Sequence, residues 1–244
     1  MSTLARILVV DDEVDTCANL SDILTDLGYQ VDVAYVGRSA VELIKSETYD
    51  IALLDLRMAG MNGLELYRQI RELSARTVAI VVTAYAGSDT AKSVLSAGAW
   101  KIIPKPVNIA ILLELVSEAL HAPLILVVDD DKDLCDNLWD LFHVHGYRVH
   151  LAYDIPDAEK VLRASKFNVV LIDMKLPTGS GQQLLRTLQQ VDQDARAILI
   201  TAYGSELESE VQQSLNAGAD AICYKPFDVD KLLETVQKLC VHNA

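Results

Sequence analysis

The chain has 244 residues, a hydrophobic fraction of 51% and a formal net charge of −14. The length allows one or two domains with cores of their own, and the composition excludes a disordered chain. Both halves are acidic and neither carries clustered Lys and Arg, which excludes a direct nucleic-acid surface, and no apolar run approaches the about 18 residues that span a bilayer.

Strands and helices alternate from the start. Arg6–Val10 reads as a buried strand, and Val14, Cys17, Leu20, Leu24 and Leu27 recur at helical spacing before Gly28, which suits a left-handed C-terminal cap. Val31–Ala34 is a second strand, and Ala40, Val41 and Ile44 mark a second helix. Ile51–Asp55 is a third strand, a short apolar run ending in one carboxylate, and a helix over Leu64–Leu73 follows Gly63. Val78–Thr83, a helix over Asp89–Ala97 ending at Gly98, Trp100–Ile103, and a helix over Ile109–Leu120 with Asn108 as its N-cap complete the unit.

The pattern then repeats. Asp11, Asp55 and Thr83 return as Asp129, Asp173 and Thr201 at a constant offset of 118 (129 − 11, 173 − 55, 201 − 83). Lys105-Pro106 returns as Lys225-Pro226 at 120 (225 − 105). Gly146, Gly218 and Asp228 punctuate the second copy, and Ser205 with Glu208 has capping-box spacing. Units this long are duplicated domains, expected over 1–121 and 122–244, joined by only His121, Ala122 and Pro123, a linker too short for independent motion. Near-continuous apolar strands alternating with helices imply α/β domains with a parallel sheet covered on both faces.

Acids fall at the C-terminal ends of the first and third strands, where open α/β sheets bind ligands: Asp11, Asp12 and Asp55, then Asp129, Asp130 and Asp173. Like charges that converge need an offsetting cation, and an all-oxygen set suits Mg²⁺. Taken singly, each Asp is equally well read as a helix cap. Thr83 and Thr201 end the fourth strands and Lys105 and Lys225 the fifth, so a hydroxyl and an ammonium reach the same mouth. Cys17, Cys135, Cys223 and Cys240 have no C-x-x-C spacing and read as reduced thiols, Cys17 and Cys135 on buried helix faces. Met1-Ser2-Thr3-Leu4-Ala5-Arg6 lacks the features of a secretory signal, so the cytoplasm is the expected compartment.

The order Asp-Asp, Asp, Thr, Lys-Pro, carried twice, resembles the receiver domain of two-component response regulators, over about residues 4–121 and 123–242. The resemblance implies two tandem flavodoxin-like (βα)5 domains with sheet order 2-1-3-4-5, a topology for which receivers are a standing example. It implies that Asp55 and Asp173 accept a phosphoryl group from a histidine kinase or histidine phosphotransfer protein. Thr83, Lys105, Thr201 and Lys225 would contact that group. Mg²⁺ would be held by Asp11, Asp12, Asp55 and the Arg57 carbonyl, and by Asp129, Asp130, Asp173 and the Lys175 carbonyl. The Lys-Pro bonds are expected to be cis. The protein would then be a phospho-acceptor and not an enzyme in the usual sense. Its output would pass through contacts with an unknown downstream protein, and a homodimer is among the assemblies such domains form.

Three departures stand out. Ile102 and Ile222 occupy the position, three before the Lys, where the family usually has a switching aromatic; Ala59 replaces a common Pro that the second unit keeps as Pro177; and Pro104 precedes Lys105. Tyr85 and Tyr203, two residues past each Thr, are the nearby aromatics placed alike in both units. They either carry the movement that a stiff Ile cannot or shade the phosphoryl site from water. A receiver segment of a larger hybrid kinase or regulator is the nearest alternative. A Mg²⁺-dependent phosphohydrolase is remote, because Arg57 and Lys175 stand where it needs a second acid. A nucleotide or flavin binder lacks its Gly-rich loop. His143 and His145 are expected to pack at a core edge.

Overall fold

The computed structural model describes residues 5–58, 60–74, 76–202, 215 and 218–241. The chain folds as two compact units, Met1–Ala122 and Pro123–Ala244. In the first, strands β1 (Arg6–Val10), β2 (Gln30–Ala34), β3 (Ile51–Leu54), β4 (Val78–Thr83) and β5 (Lys101–Pro104) form one parallel sheet of order β2-β1-β3-β4-β5. Helices α1 (Val14–Asp26), α2 (Gly37–Ser46), α3 (Gly63–Leu73), α4 (Asp89–Ser96) and α5 (Ile109–His121) connect and follow them.

The two-residue period of a strand sends alternate side chains to opposite faces. Leu8, Val10, Ala52, Leu54, Ala79 and Val81 pack with Ala40, Ile44, Leu66, Ile70 and Val94 of α2, α3 and α4. Ile7, Val9, Ile51, Leu53, Ile80 and Val82 pack with Cys17, Leu20, Leu24, Leu112 and Val116 of α1 and α5. Both faces are dry, which is why the strands read as unbroken apolar runs. Each fully buried Leu or Ile stabilises the unit by about 1.5–3 kcal/mol, and truncating one to Ala costs about 2–5 kcal/mol.

The second unit repeats the plan. β6 (Leu124–Val128), β7 (Arg148–Ala152), β8 (Val169–Asp173), β11 (Arg196–Ala202) and β12 (Ala221–Lys225) form a parallel sheet of order β7-β6-β8-β11-β12. Its described helices are α6 (Lys132–Val144), α7 (Ile155–Ala164), α8 (Gly181–Val191) and α9 (Val229–Val241). An antiparallel pair, β9 (Lys175–Leu176) with β10 (Gly179–Ser180), shapes the loop after Asp173, a feature that sequence periodicity does not announce. Ser205, Glu208 and Tyr203 lie outside the described residues.

Local signals act as expected in several places. Gly28 adopts φ +91° after α1, and its N–H bonds the Thr25 carbonyl at 2.9 Å. Asn108 accepts from the Ile111 amide at 3.3 Å, and Asp228 from the Lys231 amide at 3.2 Å. Both Lys105-Pro106 and Lys225-Pro226 are cis. Two readings are corrected. Val14 and Leu27, counted on the buried stripe of α1, are 58% and 55% exposed, because the first residue of the helix and the residue that caps its C-terminus overhang the sheet and only Cys17, Leu20 and Leu24 lie over it. His145 is exposed at the C-terminus of α6, where its Nδ1 lies 2.7 Å from the Leu141 carbonyl oxygen; His143 is half-buried and stacks on Trp139.

Candidate functional site

Each site is built where four neighbouring strands end side by side. The β1–β3 pairing sets Val10 beside Leu54, so Asp11 and Asp55 follow on adjacent strands. In the second unit Val128 pairs with Ile172, ahead of Asp129 and Asp173. The four acids are nearly fully buried, at 2% and 7% exposure for Asp11 and Asp55 and 1% and 7% for Asp129 and Asp173. An amide holds three of them in place. Glu13 N–H donates to Asp11 Oδ1 at 3.0 Å, Asp131 N–H to Asp129 Oδ1 at 3.0 Å, and Lys175 N–H to Asp173 Oδ2 at 2.8 Å. The Arg57 N–H makes a longer bond to Asp55 Oδ1, at 3.3 Å.

The lysines close both sites. Lys105 Nζ lies 2.6 Å from Asp11 Oδ2 and 3.0 Å from Asp55 Oδ2. Lys225 Nζ lies 2.6 Å from Asp129 Oδ2 and 3.0 Å from Asp173 Oδ1. Thr83 and Thr201 stand beside them, both buried: the Lys105 N–H bonds the Thr83 carbonyl at 2.9 Å, and Thr201 and Ala202 pair with Tyr224 and Lys225. The Thr83 hydroxyl accepts from the Tyr85 amide at 3.2 Å, whereas Thr201 Oγ1 lies 3.3 Å from the Ala202 carbonyl.

Burial lifts the Asp11 carboxyl above its usual pKa, and the bonds from Lys105 and the Glu13 amide bring it only part of the way back. Asp173 is raised for the same reason, with Lys225 and the Lys175 amide opposing. Burial pulls both lysines down, but their bonds to the paired acids outweigh it and leave Lys105 and Lys225 above the ordinary lysine value. Each pocket therefore holds charged acids at a cost that added positive charge would reduce.

Asp11, Asp12 and Asp55 offer three carboxylate oxygens within 4.8 Å of one another, the only such set of acids among the described residues. Asp129, Asp130 and Asp173 share the topology but do not close to that spacing. The donors are hard oxygens, so the set in the first unit fits a magnesium-type ion.

Two glycines set the far wall. The Gly63 N–H bonds the Leu56 carbonyl at 3.0 Å and the Gly181 N–H bonds that of Met174 at 3.1 Å, at the starts of α3 and α8. A Cβ on Gly63 would stand 2.6 Å from Leu56 Cα and 2.7 Å from the Asp55 carbonyl oxygen. One on Gly181 would collide with the Asp173 carbonyl oxygen. Only a residue without Cβ lets these helices start so close to the acid-bearing loops. Asn62 and Ser180, just before them, cap the helices by accepting from the Glu65 and Gln183 amides.

Sequence reasoning missed two contacts. The Arg57 guanidinium carbon lies 3.5 Å from the centre of the Tyr85 ring, tying the loop after β3 to the loop after β4. A cavity of about 320 Å³ opens beside this stack, with Asn62, Ser88 and Thr90 on its wall. Glu13 reaches Lys105, its Oε2 3.8 Å from Nζ. No sequence signal places Arg57 on Tyr85 or Glu13 beside Lys105, and Asp131, at the position that corresponds to Glu13, caps a helix instead. Ile102 and Ile222 are half-buried against the cores on the α2–α4 side and the α7–α8 side.

Two doubly wound sheets of one strand order, each with buried acids and a lysine at its mouth, define a tandem pair of signalling receiver modules. The model of the response regulator receiver domain matches residues 7–117 and 125–237, and the chain belongs to that family. A response regulator receiver protein of Anaeromyxobacter sp. (strain Fw109-5) is 30% identical over 236 residues, covering 97% of this chain and 95% of that protein. The transcriptional regulatory protein ZraR of Klebsiella oxytoca is 37% identical over 114 residues; the match covers 47% of this chain and spans about a quarter, 26%, of that relative. A solved CheY-like receiver domain from Methanospirillum hungatei JF-1 aligns with 31% identity and a TM-score of 0.48, over 50% of this chain and 97% of that one. The chain is thus a tandem-receiver protein of two-component signalling, a family of signalling modules rather than enzymes in the usual sense. No described helix is long and apolar enough to cross a membrane.

Proposed function

We propose that Asp55 and Asp173 each accept a phosphoryl group from a phosphohistidine on a histidine kinase or phosphotransfer protein. The observation that carries this is the lysine bridge in each unit: Lys105 joins Asp11 to Asp55, and Lys225 joins Asp129 to Asp173. A carboxylate oxygen attacks phosphorus, the P–N bond to the donor imidazole breaks, and an acyl phosphate forms on the Asp. The lysine ammonium, already 3.0 Å from the acceptor carboxylate, balances charge on the arriving oxygens. Thr83 and Thr201, at the neighbouring strand ends, supply a hydroxyl to the same group. Mg²⁺, when held by Asp11, Asp12 and Asp55 with the Arg57 carbonyl, and by Asp129, Asp130 and Asp173 with the Lys175 carbonyl, would neutralise further charge on the phosphoryl oxygens. The modified face then engages a downstream protein or a second copy of the chain.

The test is intact-protein and peptide mass spectrometry after treatment with acetyl phosphate and Mg²⁺. Wild type should gain phosphoryl groups on Asp55 and Asp173, Asp55→Asn and Asp173→Asn should each lose their own, and the double variant should gain none. Label persisting in the double variant, or one acid staying unreactive with every donor, would overturn the reading for that unit.

A further inference from the structure

The two repeats place different residues at the position after their acid pair, and the structure uses them differently. Asp131 is the N-cap of α6: its Oδ1 accepts from the Leu134 amide at 3.1 Å. Glu13, at the matching position before α1, makes no side-chain cap. The longer side chain is a poor cap; its Oε2 instead accepts the Thr16 hydroxyl at 2.7 Å and lies 3.8 Å from Lys105 Nζ. Among the described residues, Lys105 has three carboxylates within 4 Å and Lys225 has two. The first pocket thus sets three acids (Asp11, Glu13 and Asp55) around one ammonium. The second sets two (Asp129 and Asp173), because Asp131 has turned to a helix amide.

We infer that the two acceptor sites are unequal in cation affinity: the first unit binds a divalent cation more tightly than the second, and Glu13 is the positioning residue responsible. This rests on the phospho-acceptor reading and deepens it. Two independent features agree. The first is the extra carboxylate, which leaves the ammonium of Lys105 less able to compensate Asp11 and Asp55. The second is the closure of Asp11, Asp12 and Asp55 to within 4.8 Å, which their counterparts do not reach. Glu13 acts through charge and through Lys105 and is not itself a ligand. Because its side chain is 62% exposed, water screens the effect, which should amount to about threefold to tenfold in Kd.

The experiment is a Mn²⁺ titration followed by electron paramagnetic resonance of the free ion, on the full chain. Asp129→Asn/Asp173→Asn leaves the first site and Asp11→Asn/Asp55→Asn leaves the second, with circular dichroism confirming that each variant is folded. The first-site protein should bind more tightly. Adding Glu13→Gln to it should weaken its binding by about threefold to tenfold, toward that of the second-site protein, and Asp131→Glu should tighten the second site. Equal affinities, a reversed order, or no effect of Glu13→Gln would overturn the inference while leaving the phospho-acceptor reading intact. Absence of binding at both sites would overturn the inference and the cation role in that reading together, and absence at the first site alone would overturn the inference. Wild type provides a check that needs no altered pocket, since it should show two binding phases rather than one.

Discussion

Arg57 lies over Tyr85, its guanidinium carbon 3.5 Å from the ring centre, and this contact is a side-chain strap between the loop that follows Asp55 and the loop that follows Thr83. Tyr85 is 45% exposed and its amide donates to the Thr83 hydroxyl, so any movement of Thr83 toward a group on Asp55 pulls on the same loop. Ile102, the residue in the usual switching position, is half-buried against the core with no polar end to exchange.

An exposed cation–π pair contributes about 0.5–1 kcal/mol. Arg57→Ala and Tyr85→Ala should therefore each shorten the lifetime of phosphorylated Asp55 by about twofold to fivefold, by opening the site to water. The double variant should be no worse than either single one. Lifetimes of the acyl phosphate, followed by mass spectrometry after donor removal, decide this. Fully additive losses would mean that the two residues act separately.

Gly63→Ala should destabilise the first unit by about 1–3 kcal/mol, because the new Cβ would meet backbone atoms of Leu56 and Asp55 that cannot move aside. Gly181→Ala should do the same in the second. Gly87→Ala, where no atom lies within 4 Å of the added carbon, should stay within about 0.5 kcal/mol of wild type. Urea midpoints of the three variants test the contrast.

Alkaline pH should weaken the fold in a defined window. Burial pushes the Cys17 thiol up to about 11 and the Cys135 thiol up to about 12, from 9.0 in a free chain. Each folded-state value is raised, so the stabilisation is complete below pH 9.0 and is lost as pH rises toward those values, while the unfolded chain ionises. Lys105 and Lys225, raised by their acid partners, add losses in the same direction above 10.5. Cys17→Ala and Cys135→Ala should lower the stability at neutral pH but flatten its slope above pH 9; an unchanged slope would refute the assignment. In the native protein both thiols should resist a thiol reagent at pH 8, and react once urea unfolds the chain.

Divalent cation should stabilise the protein. Mg²⁺ at about ten times its Kd adds about 1.4 kcal/mol to a folded state that binds it, which raises the melting temperature of that unit by a few degrees. Chelation should reverse the gain, and Asp11→Asn with Asp129→Asn should abolish it. A melting curve indifferent to Mg²⁺ and chelator would count against cation binding in both pockets.

The amino-acid sequence determined by itself the two-unit plan, the alternation of strands and helices, and the strand-end positions of Asp11, Asp55, Thr83 and Lys105 with their counterparts. These follow from local periodicity and from a repeat that both copies spell out. It left undecided what the side chains do once the strands lie side by side, because a contact between residues 13 and 105, or 57 and 85, is set by which elements become neighbours. Val14 and Leu27 keep the helical period yet stay exposed, since only packing decides where a buried stripe ends. Asp131 and Glu13 occupy one repeat position and look interchangeable as charges. Tertiary structure separates them: one methylene group decides between a helix amide and the lysine of the site.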